Sequence, residues 1–291
     1  MKKLQTLYKV RAGTWIADLV ELKNLKKLGI GDLDEATMGL LTIAIAGGGL
    51  DKLRSLYLCY GKENGFSSNL LEALYEEYRE EVYGFSLDLL EALSTNRHLQ
   101  KLNLIGKIKK LPSKFPSNLI KLTLEEACFF EDPMLTLEKL QHLLFLKIYR
   151  VSYQGYKMVC SANGFPKLER LKISFISKLV ELTVEEGAMS CLMTCKIHNC
   201  RWLKMVPQGF KFLTMLQKLK ITMMPQSFEQ RVKEGGEDWE TIKHIQFITV
   251  RVRITCIYKF EDGSSRVQVS HYASRIEDEM NEKIFANYPS E

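Results

Sequence analysis

The stretch that decides the fold runs from Phe165 to Ile221 and reads FPKLERLKISFISKLVELTVEEGAMSCLMTCKIHNCRWLKMVPQGFKFLTMLQKLKI. Within it the pattern Leu-x-x-Leu-x-Ile occurs three times, at 168–173, 192–197 and 216–221, with Cys195 replacing the second leucine of the middle copy. The second position of the pattern falls at residues 171, 195 and 219, a constant spacing of 24. A fixed period in the twenties, with one short alternating apolar segment per period, is typical of a leucine-rich-repeat solenoid.

The same register extends towards the amino terminus. The strand positions of the last six copies are residues 102, 122, 146, 171, 195 and 219, and earlier copies begin at Leu22 and Leu50, with a partial copy at Leu4, Leu7 and Val10. In each copy the two apolar residues of Leu-x-Leu point into the core, and the residue between them points to the opposite face. The sequence therefore predicts an α/β solenoid, with a curved parallel β-sheet on the concave face and helices and irregular loops on the convex face.

Other segments predict elements of their own. Residues 34–46 predict a convex-side helix that ends at the glycines 47–49, and residues 71–82 keep the apolar spacing of an amphipathic helix with an acidic outer side. After Met224-Pro225 the pattern stops, and residues 227–234 predict a last short helix. Alternation over 247–260, followed by Asp262-Gly263, predicts a β-hairpin, and 274–286 predict a charged helix. We therefore predict a solenoid over 1–238 and a carboxyl-terminal extension over 239–291.

Composition sets limits on the class of protein. Apolar residues make up 46% of the 291 residues, which provides ample material for a core. The net charge of +6 is mildly basic and does not by itself imply nucleic acid. Seven cysteines, an odd number, and the lack of a secretory apolar segment at the amino terminus favour a reducing, cytoplasmic setting. No apolar run approaches the roughly 18 residues of a transmembrane segment.

One cluster has metal-ligating residue types. Cys191, Cys195, His198 and Cys200 lie within ten positions, but their spacing does not match the usual zinc patterns. The repeat register accounts for two of them, because Cys195 replaces an inward leucine and Cys200 occupies a slot where such repeats place Asn or Cys. Motifs for phosphate loops, nucleophile elbows and zinc proteases do not occur. We therefore predict no catalytic residues, no cofactor, no metal and no enzymatic activity; stoichiometric zinc in the purified protein would argue otherwise.

The concave face is the most informative surface. Residues that flank the inward pair of each strand should line it, and from the fourth full repeat onward eight of them are lysine or arginine. The predicted partner-binding residues are Lys101, Lys121, Phe145, Lys147, Tyr149, Arg170, Lys172, Lys196, His198, Lys218 and Lys220.

Two interpretations of this basic face remain open. It could attract an acidic protein surface and steer its approach. Alternatively, its lysines are ordinary residues of a solvated sheet that discourage pairing at the edge. Nucleic acid is not favoured, because Phe145 and Tyr149 are the only aromatic residues interleaved with the charges and base stacking needs more.

Several ordered motifs carry a family resemblance over roughly residues 1–246. They resemble the carboxyl-terminal repeats of plant disease-resistance proteins of the coiled-coil, nucleotide-binding, leucine-rich-repeat (NLR) class. The motifs include Gly164-Phe165-Pro166-x-Leu168-x-x-Leu171, Val184-Glu185-Glu186-Gly187-Ala188-Met189, Cys200-x-x-Leu203-x-x-Val206-Pro207-x-Gly209, Leu213-Thr214-x-Leu216-x-x-Leu219, Met224-Pro225-x-x-Phe228, Gly235-Gly236-Glu237-Asp238-Trp239 and Lys243-His244-Ile245.

The resemblance implies recognition of a pathogen effector, or of a host protein that an effector modifies, and autoinhibitory contact with a nucleotide-binding domain in cis. The resemblance also implies that the protein is cytoplasmic, or peripheral at the plasma membrane in a full-length receptor. Because no phosphate-binding motif exists here, ATP switching is not carried over. We expect a fragment of a longer receptor, a mis-delimited gene model or a truncated paralogue. The alternative function is an adaptor, such as the substrate-recruiting subunit of a ubiquitin ligase.

Overall fold

The computed structural model describes residues 3–61, 84–252, 256–259 and 265–268. Three predicted features lie outside these residues: the acidic helix at 71–82, the hairpin turn at 262–263 and the charged helix at 274–286. The division into a solenoid over 1–238 and an extension over 239–291 stays a prediction.

A ten-stranded sheet forms the framework of the chain. Its strands are β1 (Thr6–Arg11), β2 (Lys27–Leu33), β3 (Ser55–Tyr60), β4 (Lys101–Ile105), β5 (Lys121–Glu125), β6 (Phe145–Tyr149), β8 (Arg170–Ser174), β10 (Thr194–His198), β11 (Lys218–Met224) and β12 (Phe247–Val252). From β1 to β11 each strand pairs in parallel with the next strand of this sheet in sequence order. The predicted leucine-rich-repeat fold is therefore confirmed.

The repeat register places one column of apolar side chains in the core. Leu102, Leu122, Leu146, Leu171, Cys195 and Leu219 are aligned partners on successive strands. All six are between 0% and 2% exposed. Burying a leucine side chain contributes about 2 kcal/mol, so the stack of repeats obtains its stability from these columns.

A left-handed backbone residue follows each strand from β3 to β10 in the large sheet. These residues are Gly61, Gly106, Glu126, Arg150, Phe175 and Asn199, and their φ angles lie between 45° and 124°. Each donates its backbone N–H to a carbonyl of an adjacent strand; Phe175, for example, donates to His198 at 2.8 Å. The turn thus extends the ladder by one hydrogen bond while the chain leaves the sheet. Only two of the six are glycine, although left-handed φ is uncommon for other residues.

The convex side carries short helices and a second, two-stranded sheet. The α-helices are Glu35–Ala46, Leu87–Ser94, Met134–Leu137, Gln226–Val232 and Trp239–Ile242, and the 3-10 helices are Thr14–Glu21 and Gln208–Phe212. The predicted helix at 34–46 is confirmed: Asp34 caps its first turn in a reciprocal capping box with Thr37, and Gly47 caps its end. The second sheet consists of β7 (Lys157–Cys160) and β9 (Glu181–Val184), which pair in parallel. It was not predicted.

The carboxyl-terminal end of the large sheet has two features of its own. Helix Gln226–Val232 lies where the last short helix was predicted. Beyond it, strand β12 continues the sheet, and the N–H of Phe247 donates to the carbonyl of Gln217 at 2.9 Å. The sequence places Ile242, Ile245, Ile248 and Val250 in the spacing of the repeat template. The repeats thus continue beyond Pro225, where sequence analysis expected them to stop.

A separate pair of strands, β13 (Cys256–Lys259) and β14 (Ser265–Gln268), is antiparallel. The partners run from Cys256 opposite Gln268 to Lys259 opposite Ser265. This is the pairing of a β-hairpin.

Candidate partner-binding face

The outward side chains of the large sheet form three rows across strands β4, β5, β6, β8, β10 and β11. The first row precedes the inward pair and contains Lys101, Lys121, Phe145, Arg170, Thr194 and Lys218; the middle row contains Asn103, Thr123, Lys147, Lys172, Lys196 and Lys220; the exit row contains Ile105, Glu125, Tyr149, Ser174, His198 and Thr222. All eleven residues predicted from the sequence lie on this one face. Whether they bind a partner stays a prediction.

Four lysines of the middle row form the most regular charged feature of this face. Lys147 is the direct partner of Lys172, Lys172 of Lys196, and Lys196 of Lys220, so the four occupy one position on four adjacent strands. We call them the lysine ladder. Neighbouring strands lie about 4.8 Å apart, and like charges directly opposite each other destabilise a sheet. Each lysine is half-buried, which leaves its aliphatic stem packed on the sheet.

Two aromatic rings hold the cations at the amino-terminal end of the ladder. The Lys147 ammonium lies 4.3 Å from the centroid of the Tyr149 ring, and Lys172 lies 5.9 Å from it. Phe145 lies between Lys121, at 4.7 Å, and Arg170, at 5.7 Å. Cation–π attraction of this kind fixes the direction in which a flexible lysine points. The face is therefore partly preorganised where these rings lie.

The exit row continues into an aromatic cluster that the sequence did not predict. The rings of Tyr149 and Phe175 meet edge to face at 5.3 Å, and those of Phe175 and His198 at 4.9 Å. His198 is 5% exposed, and its Nδ1 lies 2.7 Å from the hydroxyl of Thr222. We call Tyr149, Phe175 and His198 the aromatic wall. Phe175 joins it because its φ of 58° turns the side chain towards the sheet.

The acidic side chains near this face are paired. Arg150 approaches Glu125 at 3.1 Å and Glu126 at 3.5 Å. Arg150 also lies 5.1 Å from the ring of Tyr149. It thus offsets one of the two negative charges next to the aromatic wall, and the four lysines of the ladder outweigh the one that is left.

The amino-terminal part of the sheet has a different surface. Tyr57 occupies the middle row on β3, and its ring packs edge to face on Tyr8 at 5.8 Å. Lys27 lies 4.1 Å from the ring of Tyr8. At the other end, Phe247 on β12 lies 5.9 Å from the ammonium of Lys218 and is 54% exposed. These aromatic residues were not predicted to lie on this face, although the template spacing of Ile242, Ile245 and Ile248 places Phe247 next to an inward position.

The structure places the members of the cysteine cluster in different environments. Cys195 and Cys200 are fully buried, whereas Cys191 is exposed. Burial raises the pKa of Cys195 and of Cys200 to about 12, so both stay protonated thiols at neutral pH. Within residues 3–61 and 84–252 no group of three or more His, Cys, Asp or Glu side chains is arranged to hold a metal ion. Nor does any helix in the described part of the chain have the length and apolarity that crossing a membrane requires.

Comparisons with known proteins agree with the repeat register. The family described as leucine-rich repeat region matches residues 1–244. Among Arabidopsis thaliana proteins, the disease resistance protein RPH8A is 37% identical over 212 residues, which are 68% of this chain and 23% of that protein. The disease resistance protein RPP8 is 42% identical over 156 residues, or 52% of this chain and 17% of that protein. The disease resistance RPP8-like protein 3 is 32% identical over 233 residues, or 79% of this chain and 23% of that protein. The chain therefore spans a quarter or less of the length of these relatives.

Proposed function

Since the chain belongs to the leucine-rich repeat family and its relatives are plant disease resistance proteins, we propose that it is the non-catalytic protein-recognition domain of a plant intracellular immune receptor. The partner is a pathogen effector or a host protein that an effector modifies. In a full-length receptor the same domain contacts the nucleotide-binding domain in cis and restrains it. The proposed location is the cytoplasm, or the inner side of the plasma membrane in the full-length receptor.

The lysine ladder is the observation that carries this proposal. The same position on four adjacent strands is an unfavourable arrangement for lysines that only keep a sheet soluble, because it adds repulsion between neighbours. An acidic partner surface relieves the repulsion and is attracted from a distance. We therefore assign the concave face, centred on the ladder, as the surface that binds an acidic region of the partner protein.

Charge reversal of the ladder tests this assignment. The full chain is immobilised and exposed to plant extract, with and without pathogen proteins, and the retained proteins are identified. The main retained protein is then purified and titrated against the chain. We expect the variant with Lys147, Lys172, Lys196 and Lys220 changed to Glu to bind about a hundredfold more weakly. The wild-type affinity should fall as ionic strength rises.

The matched control reverses four lysines outside the sheet. Lys23, Lys139, Lys167 and Lys204 are exposed and lie outside the strands, so their change to Glu alters net charge equally. This control should keep most of the affinity. An unchanged affinity and salt dependence in the ladder variant would mean that the ladder is only solvated surface.

A further inference from the structure

The spacing of the lysine ladder limits the kind of acidic element that fits it. Its four ammonium groups start from strands about 4.8 Å apart, so the three intervals span about 14 Å. A complementary element must present one carboxylate per strand along this line, which runs across the strands. The element therefore lies perpendicular to the strands of the sheet.

An α-helix matches this spacing better than an extended strand does. A helix places one residue of a given face per turn of about 5.4 Å, so three intervals span about 16 Å and miss the ladder by about 2 Å. The same face of a β-strand repeats about every 6.7 Å, so three intervals span about 20 Å and miss by about 6 Å. With the difference shared between the two ends, a helix requires the end lysines to shift by about 1 Å and a strand by about 3 Å, so the helix needs the smaller rearrangement.

Aromatic and charged residues on both sides of the ladder fit the flanks of such a helix. Tyr149 and Phe175 of the aromatic wall are half-buried and offer aromatic contact beside the charges, whereas His198 is buried against Phe175. On the other side Arg170 and Lys218 are exposed in the first row. A helix with side chains is about 10 Å wide, which is enough to reach both neighbouring rows.

The same rings are poorly arranged for stacking nucleic acid bases. Tyr149 has three cationic groups within 6 Å of its ring centroid, from Lys147, Arg150 and Lys172. Phe175 packs edge to face against rings on both sides. Base stacking needs free ring faces.

We propose that the concave face binds an α-helix of the partner protein whose exposed side carries a stripe of carboxylates at i, i+4, i+7 and i+11. The stripe runs along the lysine ladder, one carboxylate to each of Lys147, Lys172, Lys196 and Lys220. This inference rests on the proposed function, because it specifies the shape of the acidic region that the domain recognises.

Two synthetic peptides of identical composition and about 16 residues test the inference against the whole chain. One places its four glutamates in the proposed stripe, and the other distributes them around the helix; circular dichroism checks that both are equally helical. At low ionic strength we expect the striped peptide to bind about tenfold more tightly. The variant Lys172→Gln with Lys196→Gln should lose this preference, and the control Lys139→Gln with Lys167→Gln should keep it.

Each other outcome overturns a defined part of the proposal. Equal affinity for the two peptides would overturn the helix stripe and leave acidic recognition in place. If neither peptide binds, the helix stripe and the acidic partner surface are both wrong. If a single-stranded RNA of equal charge binds more tightly than either peptide, and the Lys172→Gln, Lys196→Gln variant loses that binding, the face is a nucleic acid site.

Discussion

Gly209 sets how closely two repeats approach on the convex side. It lies in the 3-10 helix Gln208–Phe212 and is buried, and a Cβ at this position would overlap the carbonyl oxygen of Val184 at the end of β9. Gly39, in the middle of helix Glu35–Ala46, has open space around the same atom. The two glycines therefore differ in their surroundings: one has no room for a Cβ and the other has open space.

We predict opposite effects of alanine at these two positions. Gly209→Ala should lower the free energy of unfolding by about 2 kcal/mol, because backbone must move to admit the methyl group. Gly39→Ala should raise it by about 0.7 kcal/mol, because alanine favours a helix interior over glycine. Urea denaturation measures both changes. Unchanged stability of Gly209→Ala would contradict crowding at that position, and a loss of stability in Gly39→Ala would contradict the open space around Gly39.

Side-chain placement was predictable from the sequence wherever it depended on alternation. Lys172 and Lys196 were assigned to the outer face because each lies between two inward residues of a strand. Phe175 was not assigned, because its position depends on a positive φ just after β8. Nothing in the residue type signals this, since aromatic residues rarely adopt that conformation.

At the scale of the sheet, the lysine ladder should reduce stability when no partner is present. Lys220 lies opposite Lys196, so Lys220→Gln removes one repulsive pair. At low ionic strength we expect this variant to have a free energy of unfolding about 0.3 kcal/mol above that of the wild type. At high ionic strength the gain should disappear, because salt screens the repulsion. Thermal unfolding at the two salt concentrations measures this difference, with Lys167→Gln as the control. A variant whose change in stability is independent of salt would contradict it.

The two-stranded sheet of β7 and β9 was not predicted, because its strands lack the Leu-x-Leu template. Strands β7 and β9 bring Met158 opposite Leu182 and Cys160 opposite Val184, again 24 residues apart. Residues 181–184 alternate polar and apolar residues, and residues 157–160 have apolar residues at the two matching positions, so a period was present in the sequence. It was not recognised because only the Leu-x-Leu segments were followed. The loop carboxylate of Asp132 supports this sheet by accepting the N–H of Val159 at 2.7 Å.

At the scale of the whole solenoid, a buried carboxylate fastens the carboxyl-terminal repeats together. The side chain of Asp238 is 0% exposed and accepts two hydrogen bonds from Arg231, at 3.0 and 2.8 Å, and one from the N–H of Val206 at 3.0 Å. It thus ties the segment after helix Gln226–Val232 to the preceding repeat. Arg231 also pairs with Glu237, whose side chain is 75% exposed.

Neutralising each of these two acids should have very different effects. Asp238→Asn should lower the free energy of unfolding by about 3 kcal/mol, because Arg231 loses its buried partner. Glu237→Gln should change it by less than about 0.5 kcal/mol, because an exposed pair contributes little. Chemical denaturation compares the two variants. Similar losses in both would mean that burial of Asp238 is not what makes the contact strong.

The solenoid was predictable because every copy of the repeat has an apolar pair that only neighbouring strands can bury. Residues 247–252 were predicted as part of a β-hairpin, whereas β12 belongs to the large sheet. Its place there was missed because its copy of the template has Ile242, Ile245, Ile248 and Val250 instead of leucine. The arrangement of the candidate site was predictable as a basic face, whereas the aromatic wall depends on contacts between strands.

The constant spacing of 24 residues between β8, β10 and β11 has an evolutionary consequence. Because the three segments share one register, an insertion or deletion of one 24-residue unit, as by recombination between misaligned copies, would add or remove one strand of the large sheet and keep the apolar columns aligned. Each event also lengthens or shortens the lysine ladder by one charge and about 4.8 Å. The proposed partner-binding face would therefore change its length in discrete steps while the fold is kept.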